Sequence, residues 1–447
     1  MFNTKKLLLS TALMVASSTL YAATTPEQAA KLGDTLTPIG AEKAGNAAGT
    51  IPAWTGGLES SADRYTNPFA SEQPLFTITA ANMDQHKANL TPGQIAMLKK
   101  YSDSYSIPVY PSHRTAALPA DVYSAAKENA TKANLTDGGN GLSGFTTAVP
   151  FPIPDNGLEV IWNHMTRYRG GALERTFVQV PVQANGSFTA VKINEKMSWP
   201  TSLKGGADPK KDENILFYFV QQVKAPSRLT GNVLLVHETM NQVTQPRQAW
   251  TYNAGQRRVR RAPQIAYDAP GTASDGQRTT DNLDLFNGAP DRYNWNLVGK
   301  QELYIPYNSF KLADRGLTYD DILKPGHMNP ELTRYELHRV WKVEATLKEG
   351  ERHIYAKRTF YIDEDTWQIA VVDHYDGRGE LWRVGEAHQF QYRDANVPWL
   401  TAEALYDLQS GRYLVGSLTN EEGDGFDFTQ RFKHKDFTPQ AIRRLGK

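Results

Sequence analysis

The sequence of 447 residues contains no cysteine. It therefore offers no disulfide, no thiol nucleophile and no cysteine-ligated metal, and no cysteine is available for lipid attachment. Its ten histidines form neither a His-x-His nor a His-Glu-x-x-His motif, so we expect no metal site. A Gly-x-Ser-x-Gly elbow and a P-loop lysine are also missing, and the sequence predicts no cofactor and no catalytic residue.

Long apolar runs are absent after the first residues, so no transmembrane helix is predicted in the rest of the chain. The sequence also lacks an excess of charge of either sign. Loss of residues 1–22 would remove two lysines and no acid, which changes the formal net charge from +1 to −1. A chain so close to neutrality lacks the basic footprint that nucleic-acid binding requires.

The N-terminus has the three parts of a secretory signal peptide. Lys5 and Lys6 precede a short apolar stretch at 7–15, and small residues follow up to Ala22 and Ala23. We expect cleavage after Ala22 and a soluble, unlipidated protein in the periplasm. The alternative is a retained anchor, but the apolar stretch is shorter than the roughly 20 residues of a membrane span.

Residues 23–155 are predicted to form an N-terminal arm and helices that pack on the main domain. Proline and glycine are dense up to residue 75, which favours an extended arm anchored by Trp54 over regular structure. A disordered N-terminus is the alternative. Helices are predicted at 79–101, with a new start at Thr91 and Pro92, and at 120–133.

Residues 156–447 are predicted to form a curved antiparallel sheet. A helix over 158–168 comes first, and strands then alternate with turns such as Asn185-Gly186 and 376–379. The clearest strands are at 335–346, 353–362, 366–375 and 380–392. The fold class is thus α+β and mainly β: a strongly curved antiparallel sheet, or half-barrel, covered by helices, with an extended N-terminal arm.

Alternation within the meander predicts which residues face a cavity. In the strand at 335–343, Leu337, Arg339 and Trp341 share one face, while Glu336, His338, Val340 and Lys342 form a wetter face. Trp367 and Ile369 share a face of a neighbouring strand. We predict that Leu337, Trp341, Trp367 and Ile369 line an apolar ligand site, with Arg339 paired with an acid or a ligand head group. A solid core without space for a ligand would give the same pattern.

Four arginines, Arg257, Arg258, Arg260 and Arg261, surround Val259. Charges on both faces exclude a core strand. An edge strand paired with the chain's own acids is one interpretation. A docking patch for a partner, or an arginine at a cavity mouth, is the other.

His164 and Tyr168 share a helix face, so a proton-transfer pair and a structural hydrogen-bonded pair are both open.

Seven segments resemble a family of proteobacterial exported proteins without an established activity, described as outer-membrane lipoprotein-sorting-protein-like. They are LTPIGAEKAGN (36–46), GTIPAWTGG (49–57), YPSHR (110–114), PFPIP (150–154), IWNH (161–164), GQRRVRRAP (255–263) and AEALYDL (402–408). The resemblance runs from about residue 30 to the C-terminus. It implies a relationship to the periplasmic lipoprotein carriers, whose curved sheet and helices enclose an apolar cavity for acyl chains. This chain departs from those carriers in its size and in the region before residue 155, so the resemblance does not imply lipoproteins as the cargo.

The resemblance also implies a gene neighbourhood with a resistance-nodulation-division type exporter and a companion outer-membrane protein. We therefore expect a periplasmic carrier that shuttles a lipid or other hydrophobic small molecule between membranes. An enzyme acting on a hydrophobic substrate, with His164 or His113 as base, is the first alternative. A scaffold that docks the exporter or the outer-membrane protein through the arginine strand is the second.

Overall fold

Local sequence signals set the ends of the helices. The computed structural model describes residues 24–263, 266–423 and 425–446, so the predicted signal peptide at 1–22 lies outside the described residues. Thr91 caps α2 by accepting a hydrogen bond from the Gln94 N–H at 3.1 Å, with Pro92 in the first turn, as predicted. The helices are α1 (Pro26–Ala29), α2 (Pro92–Lys100), α3 (Ala120–Lys132), α4 (Gly157–Thr166), α5 (Tyr319–Ile322) and α6 (Pro439–Leu445).

None of the helices in the described ranges combines the length and the apolar character that a membrane span requires.

Strands dominate the described residues. They are β1 (Phe76–Ile78), β2 (Ile107–Val109), β3 (Asn134–Thr136), β4 (Gly141–Ser143), β5 (Ala172–Val182), β6 (Val191–Ser198), β7 (Ile215–Ala225), β8 (Val233–Thr239), β9 (Gln248–Asn253), β10 (Arg258–Arg261), β11 (Tyr293–Pro306), β12 (Tyr335–Leu347), β13 (Lys357–Asp363), β14 (Ile369–Tyr375), β15 (Leu381–Tyr392), β16 (Val397–Asp407), β17 (Tyr413–Leu418) and β18 (Phe426–Asp427). β3 and β4 form a separate hairpin.

Two antiparallel meanders form one curved, open sheet of 16 strands. The first runs from β5 to β10 and the second from β11 to β17. They join where β17 pairs with β5, with Val415 opposite Val180. A single parallel pair, Tyr335 with Val109, makes the sheet mixed. The predicted meander is confirmed, although the region at 248–260 is a hairpin of two strands.

Both faces of the sheet are covered. On one face, here the α4 face, Ile161 and Met165 of α4 pack with Phe360 and Val372 of the sheet, and Val122 of α3 joins them. The half-barrel prediction left one face to the helices, whereas the structure places helices on both.

The opposite face is here the α2 face. Met97 and Leu98 of α2 pack on Val371 and Val384. Farther along the same face, Ile442 of α6 packs on Tyr218, Leu235 and Tyr252 in β7–β9.

The prediction of an extended N-terminal arm is not confirmed. Leu36 forms bridges with both Leu32 and Glu42, so this part of the chain turns back on itself. Ile39 and Ile51 are buried, whereas Trp54 is half-buried. The Trp54 indole N–H donates to the Ala116 carbonyl at 3.1 Å. The segment is thus held by its isoleucines as much as by Trp54.

Candidate ligand-binding cleft

The five predicted ligand-binding residues lie within or beside packed core. Trp367 and Ile369 are 0% exposed, and Trp341 stacks on Trp367 with ring centroids 6.3 Å apart. Arg339 pairs with Glu364 at 3.2 Å, which confirms the expected acid partner. Leu337 is half-buried. None of the five lines any of the cavities described below, and their role in ligand binding stays a prediction.

The wetter face assigned to the strand at 335–343 is wrong. Glu336, His338 and Val340 are all buried, while Leu337 and Trp341 are half-buried. Glu336 is neutralised by Arg334 at 2.6 Å and accepts the backbone N–H of His113 at 2.7 Å. Local alternation does not reveal the distant partners, such as Arg334 and the His113 N–H for Glu336, that allow polar residues to be buried.

The two histidines proposed as bases have structural partners. The His164 Nε2–H donates to the Asp284 carbonyl at 2.9 Å, and its Nδ1 accepts the Ile369 N–H at 3.1 Å. Burial lowers the pKa of His164 to about 3, so the ring is neutral and both nitrogens are occupied. His113 pairs with Glu72 at 2.6 Å and stacks on Phe69.

The arginine strand lies at the sheet edge. β10 is the last strand in the sheet order, and within the described ranges it pairs with β9 alone. Arg258, Arg260 and Arg261 are exposed on it, whereas Arg257 occupies the preceding turn with φ of 54°. The edge position is confirmed, whereas none of the four arginines forms an ion pair with an acid among the described residues, and a docking role stays a prediction.

An open cleft lies on the α4 face of β6–β9, beyond the part of the sheet that α4 covers. Cross-strand pairs bring Ile193 against Val223, and Gln221 against Leu234. These four side chains and Thr251 of β9 line a volume of about 220 Å³. Because directly paired residues share a face, the cleft floor is one continuous strip across four strands.

A larger open volume of about 680 Å³ adjoins this strip. It is lined by Phe188, Val191 and Leu229, and it shares Val223 and Asn232 with the smaller one. Pockets that hold small ligands commonly measure about 300–1,000 Å³ and are mostly apolar. The cleft thus has the size and the character for a ligand with an extended apolar body.

The inner end of the cleft is charged. Gln221 lines both the cleft and a small buried cavity of about 30 Å³, which is also lined by Arg175 and Arg278. Arg175 pairs with Glu195 at 2.7 Å, and the Gln221 amide donates to the same carboxylate at 2.5 Å. Arg278 has no side-chain hydrogen bond within the described part of the chain.

Carboxylates balance part of this positive charge. Asp284 is held by Arg167 at 2.5 Å and Arg169 at 2.9 Å. Burial raises the pKa of Glu403, another residue lining this cavity, to about 7. A carboxyl with such a pKa carries about half a negative charge at neutral pH, so the charge of the arginines lining this cavity is only partly balanced.

The loop segment at 272–277 lies next to this charged end of the cleft. The Gln179 side-chain amide donates to the Thr272 carbonyl at 2.9 Å, and Ala273 packs with Phe177, Val191 and Ile193. Arg383 of β15 donates to the carbonyls of residues 276 and 277, each at 3.0 Å. This segment is thus tied to both meanders, and Thr272 lines the cleft.

The sequence prediction missed these cleft residues. The signal available was a break in the apolar run of β7, where Gln221 and Gln222 follow Val220. Arg278 and Thr272 come from a long loop, and no periodicity connects them with β6 or β7.

Comparison with known proteins places the chain in a family. Residues 77–443 match the model of a family described as protein of unknown function, DUF1329. The uncharacterized protein PA3922 of Pseudomonas aeruginosa is 61% identical over 453 residues, which cover 99% of each chain.

Two solved structures also show similarity. One is a Vibrio parahaemolyticus domain described provisionally as an outer membrane lipoprotein-sorting protein domain, with TM-score 0.45, 14% identity, and coverage of 64% of this chain and 98% of that chain. The other is a DUF1329 family protein from Desulfovibrio piger, with TM-score 0.41, 14% identity, and coverage of 61% and 91%. The family model spans most of the sequence, and the chain therefore belongs to the DUF1329 family of proteins of unknown function.

Proposed function

We propose that the protein is a periplasmic carrier that binds a lipid or other hydrophobic small molecule and shuttles it between membranes. The observation that supports this proposal is the open cleft on the α4 face. Ile193, Val223 and Leu234 offer an apolar floor there, whereas α4 and α2 pack on other apolar parts of the same sheet. Each methylene buried there contributes roughly 0.8 kcal/mol, so a long acyl chain gains affinity without a covalent step.

The charged end of the cleft selects the head group. A ligand whose apolar body lies along Ile193 and Val223 points its head toward Gln221, Arg175 and Arg278. Guanidinium groups in a partly desolvated site favour a carboxylate or phosphate. We therefore propose an amphipathic, anionic cargo such as a fatty acid.

A displacement assay with a fluorescent fatty acid on delipidated protein tests the apolar part. Leu234→Gln is expected to weaken binding about fivefold or more, because it removes about 1 kcal/mol of apolar contact. Leu75→Gln is the matched control, since Leu75 is 63% exposed and lies outside the cleft. Equal affinities of the two variants, or no binding of acyl, sterol or aromatic probes to the wild type, would contradict the proposal.

The head-group part has its own test. A fatty acid is expected to bind more tightly than the alcohol of the same chain length, and Arg278→Gln is expected to reduce this preference while alcohol binding persists. Equal affinity of acid and alcohol for the wild-type protein would contradict the proposed preference for an anionic head group, without affecting the proposal of an apolar cleft.

Docking through β10 is a second candidate function, supported by its exposed arginines at an open sheet edge. The partner would be the exporter or the outer-membrane protein expected from the family resemblance. Reversing charge with Arg258→Glu and Arg260→Glu is expected to abolish co-purification of such a partner. The same reversal at Arg443 and Arg444, exposed on α6, serves as control. Unchanged co-purification would exclude the edge as the docking site.

A further inference from the structure

A cluster of ionisable side chains lies between β12 and the turn that joins β13 to β14. His338, Asp363 and Asp365 each offer a ligand atom, and these atoms all lie within 4.8 Å of one another. All three residues are buried. The cluster is separate from the cleft and takes no part in the function proposed above.

The acids beside this cluster have cationic partners, with Asp363 as the exception. Glu364 pairs with Lys300 at 2.7 Å and with Arg339 at 3.2 Å, and Asp365 pairs with Arg114 at 2.6 Å.

Asp363 accepts hydrogen bonds only from neutral groups in the described chain. These are the Thr366 hydroxyl at 2.6 Å, the Gln389 amide at 3.3 Å and the Asp365 N–H at 3.3 Å. A fully buried carboxylate without a cation is costly, and proteins either protonate it or supply a positive ion.

Buried oxygens without hydrogen-bond partners lie on residues in contact with the cluster or with its neighbours. The Gln389 amide nitrogen donates to Asp363, while the amide oxygen of the same side chain is buried and has no hydrogen-bond partner among the described residues. The hydroxyl groups of Tyr307 and Ser309 are likewise buried without a partner in the described part of the chain. Tyr307 stacks on His338 with centroids 3.9 Å apart, and the Ser309 N–H donates to the Gln389 carbonyl at 2.9 Å. A buried oxygen without a partner calls for an explanation, and a bound ion is one of those that apply.

The ring of His338 has the arrangement expected of a metal ligand. Its Nε2 lies 3.1 Å from the Glu336 carboxylate. With Nε2–H donating to this carboxylate, Nδ1 carries the free lone pair. Histidines that bind metals commonly donate their other N–H to a carboxylate in this way.

We propose that His338, Asp363 and Asp365 bind a divalent transition-metal ion. One imidazole nitrogen with two carboxylate groups is a set that suits Zn²⁺ or Mn²⁺, whereas Ca²⁺ and Mg²⁺ prefer oxygen alone. The ion neutralises Asp363 and holds the turn at 363–366 against β12 and β15. Its role is structural, because the site is buried on all sides.

Metal analysis of the full-length protein, purified without chelator, tests the proposal. Plasma mass spectrometry is expected to find about one equivalent of Zn²⁺ or Mn²⁺ per chain. After chelation, each ion is added separately, and the melting temperature is expected to rise saturably with one of them. Absence of bound metal, together with no saturable rise with either ion, would overturn the proposal.

Two variants with a matched control locate the site. Asp363→Asn and His338→Gln are each expected to weaken metal binding at least tenfold and to remove the metal-dependent rise. Asp373→Asn removes another fully buried carboxylate from the same sheet. This variant is expected to retain the metal affinity and the metal-dependent rise in melting temperature. Wild-type metal affinity in Asp363→Asn would place the ion elsewhere and refute the assignment. Should Asp363→Asn fail to fold, the metal affinity of His338→Gln tests the assignment in the same way.

Discussion

Asp373 is a buried carboxylate on the α2 face, and replacing it with asparagine should stabilise the protein above neutral pH. The residue is 0% exposed, and neither carboxylate oxygen accepts a hydrogen bond of regular geometry from another described residue. Burial, with Glu386 nearby, raises the pKa of Asp373 from 3.8 to about 7. The folded state therefore binds a proton that the unfolded state releases at much lower pH.

The sign and the size of the effect follow from proton linkage. Between about pH 4 and pH 7 the folded state holds more protons at this site than the unfolded state, so its contribution becomes less favourable as pH rises. One pKa unit corresponds to about 1.36 kcal/mol, so the full cost above pH 7 is about 4 kcal/mol. Asp373→Asn removes this ionisable group and keeps the shape of the side chain.

Urea unfolding of the wild type and the variant at pH 5 and pH 8 measures the difference. We expect the gain in unfolding free energy from Asp373→Asn to be about 1–2 kcal/mol at pH 5 and up to about 4 kcal/mol at pH 8. Contributions of the other titrating groups cancel in the comparison because both proteins contain them. A gain in unfolding free energy that does not change between the two pH values would refute the argument that burial raises the pKa of Asp373.

Three further outcomes are expected. Gly93→Ala should lower the free energy of unfolding by about 1–2 kcal/mol, because the added Cβ would lie 2.1 Å from Asp373 Oδ1 and 2.8 Å from Val384. This loss is expected although alanine is the better helix former. A variant that is more stable than the wild type in urea unfolding would contradict the prediction. Trp54→Ala should lower the free energy of unfolding by about 2 kcal/mol and Ile51→Ala by about 2–5 kcal/mol, because Trp54 is only half-buried and Ile51 is fully buried. Thermal unfolding of the two variants shows which substitution destabilises the protein more. A larger loss for Trp54→Ala would identify Trp54 as the main anchor. N-terminal sequencing of material released by osmotic shock should find a chain that begins near Ala23, and membrane-bound protein with an intact N-terminus would exclude cleavage.

Several features could be predicted because their causes are local in sequence. Thr91 and Pro92 start α2 since a capping hydroxyl and a fixed φ act within one turn. The alternation in β12–β15 and the Gly-containing turns between strands predicted a meander. The four arginines predicted an edge strand, because charges on both faces are incompatible with a central position.

The site residues could not be predicted in the same way. The cleft combines Ile193 and Gln221 from adjacent strands with Arg278 from a loop, and the cluster of ionisable side chains joins His338 of β12 to Asp363 of β13. These groups meet through strand register and chain crossings, which no local pattern contains.

The sequence by itself determined the absence of disulfides, the main helices and the order of the strands within each meander. Only the tertiary structure decided that β17 pairs with β5, and that helices cover both faces of the sheet. It also decided that Glu336 and His338 are buried. The physical reason is that periodicity tells which side chains share a face, whereas burial depends on what packs against that face. For a charged residue such as Glu336, burial is made tolerable by Arg334 and by Asn308, which donates to it at 2.9 Å from a distant part of the chain.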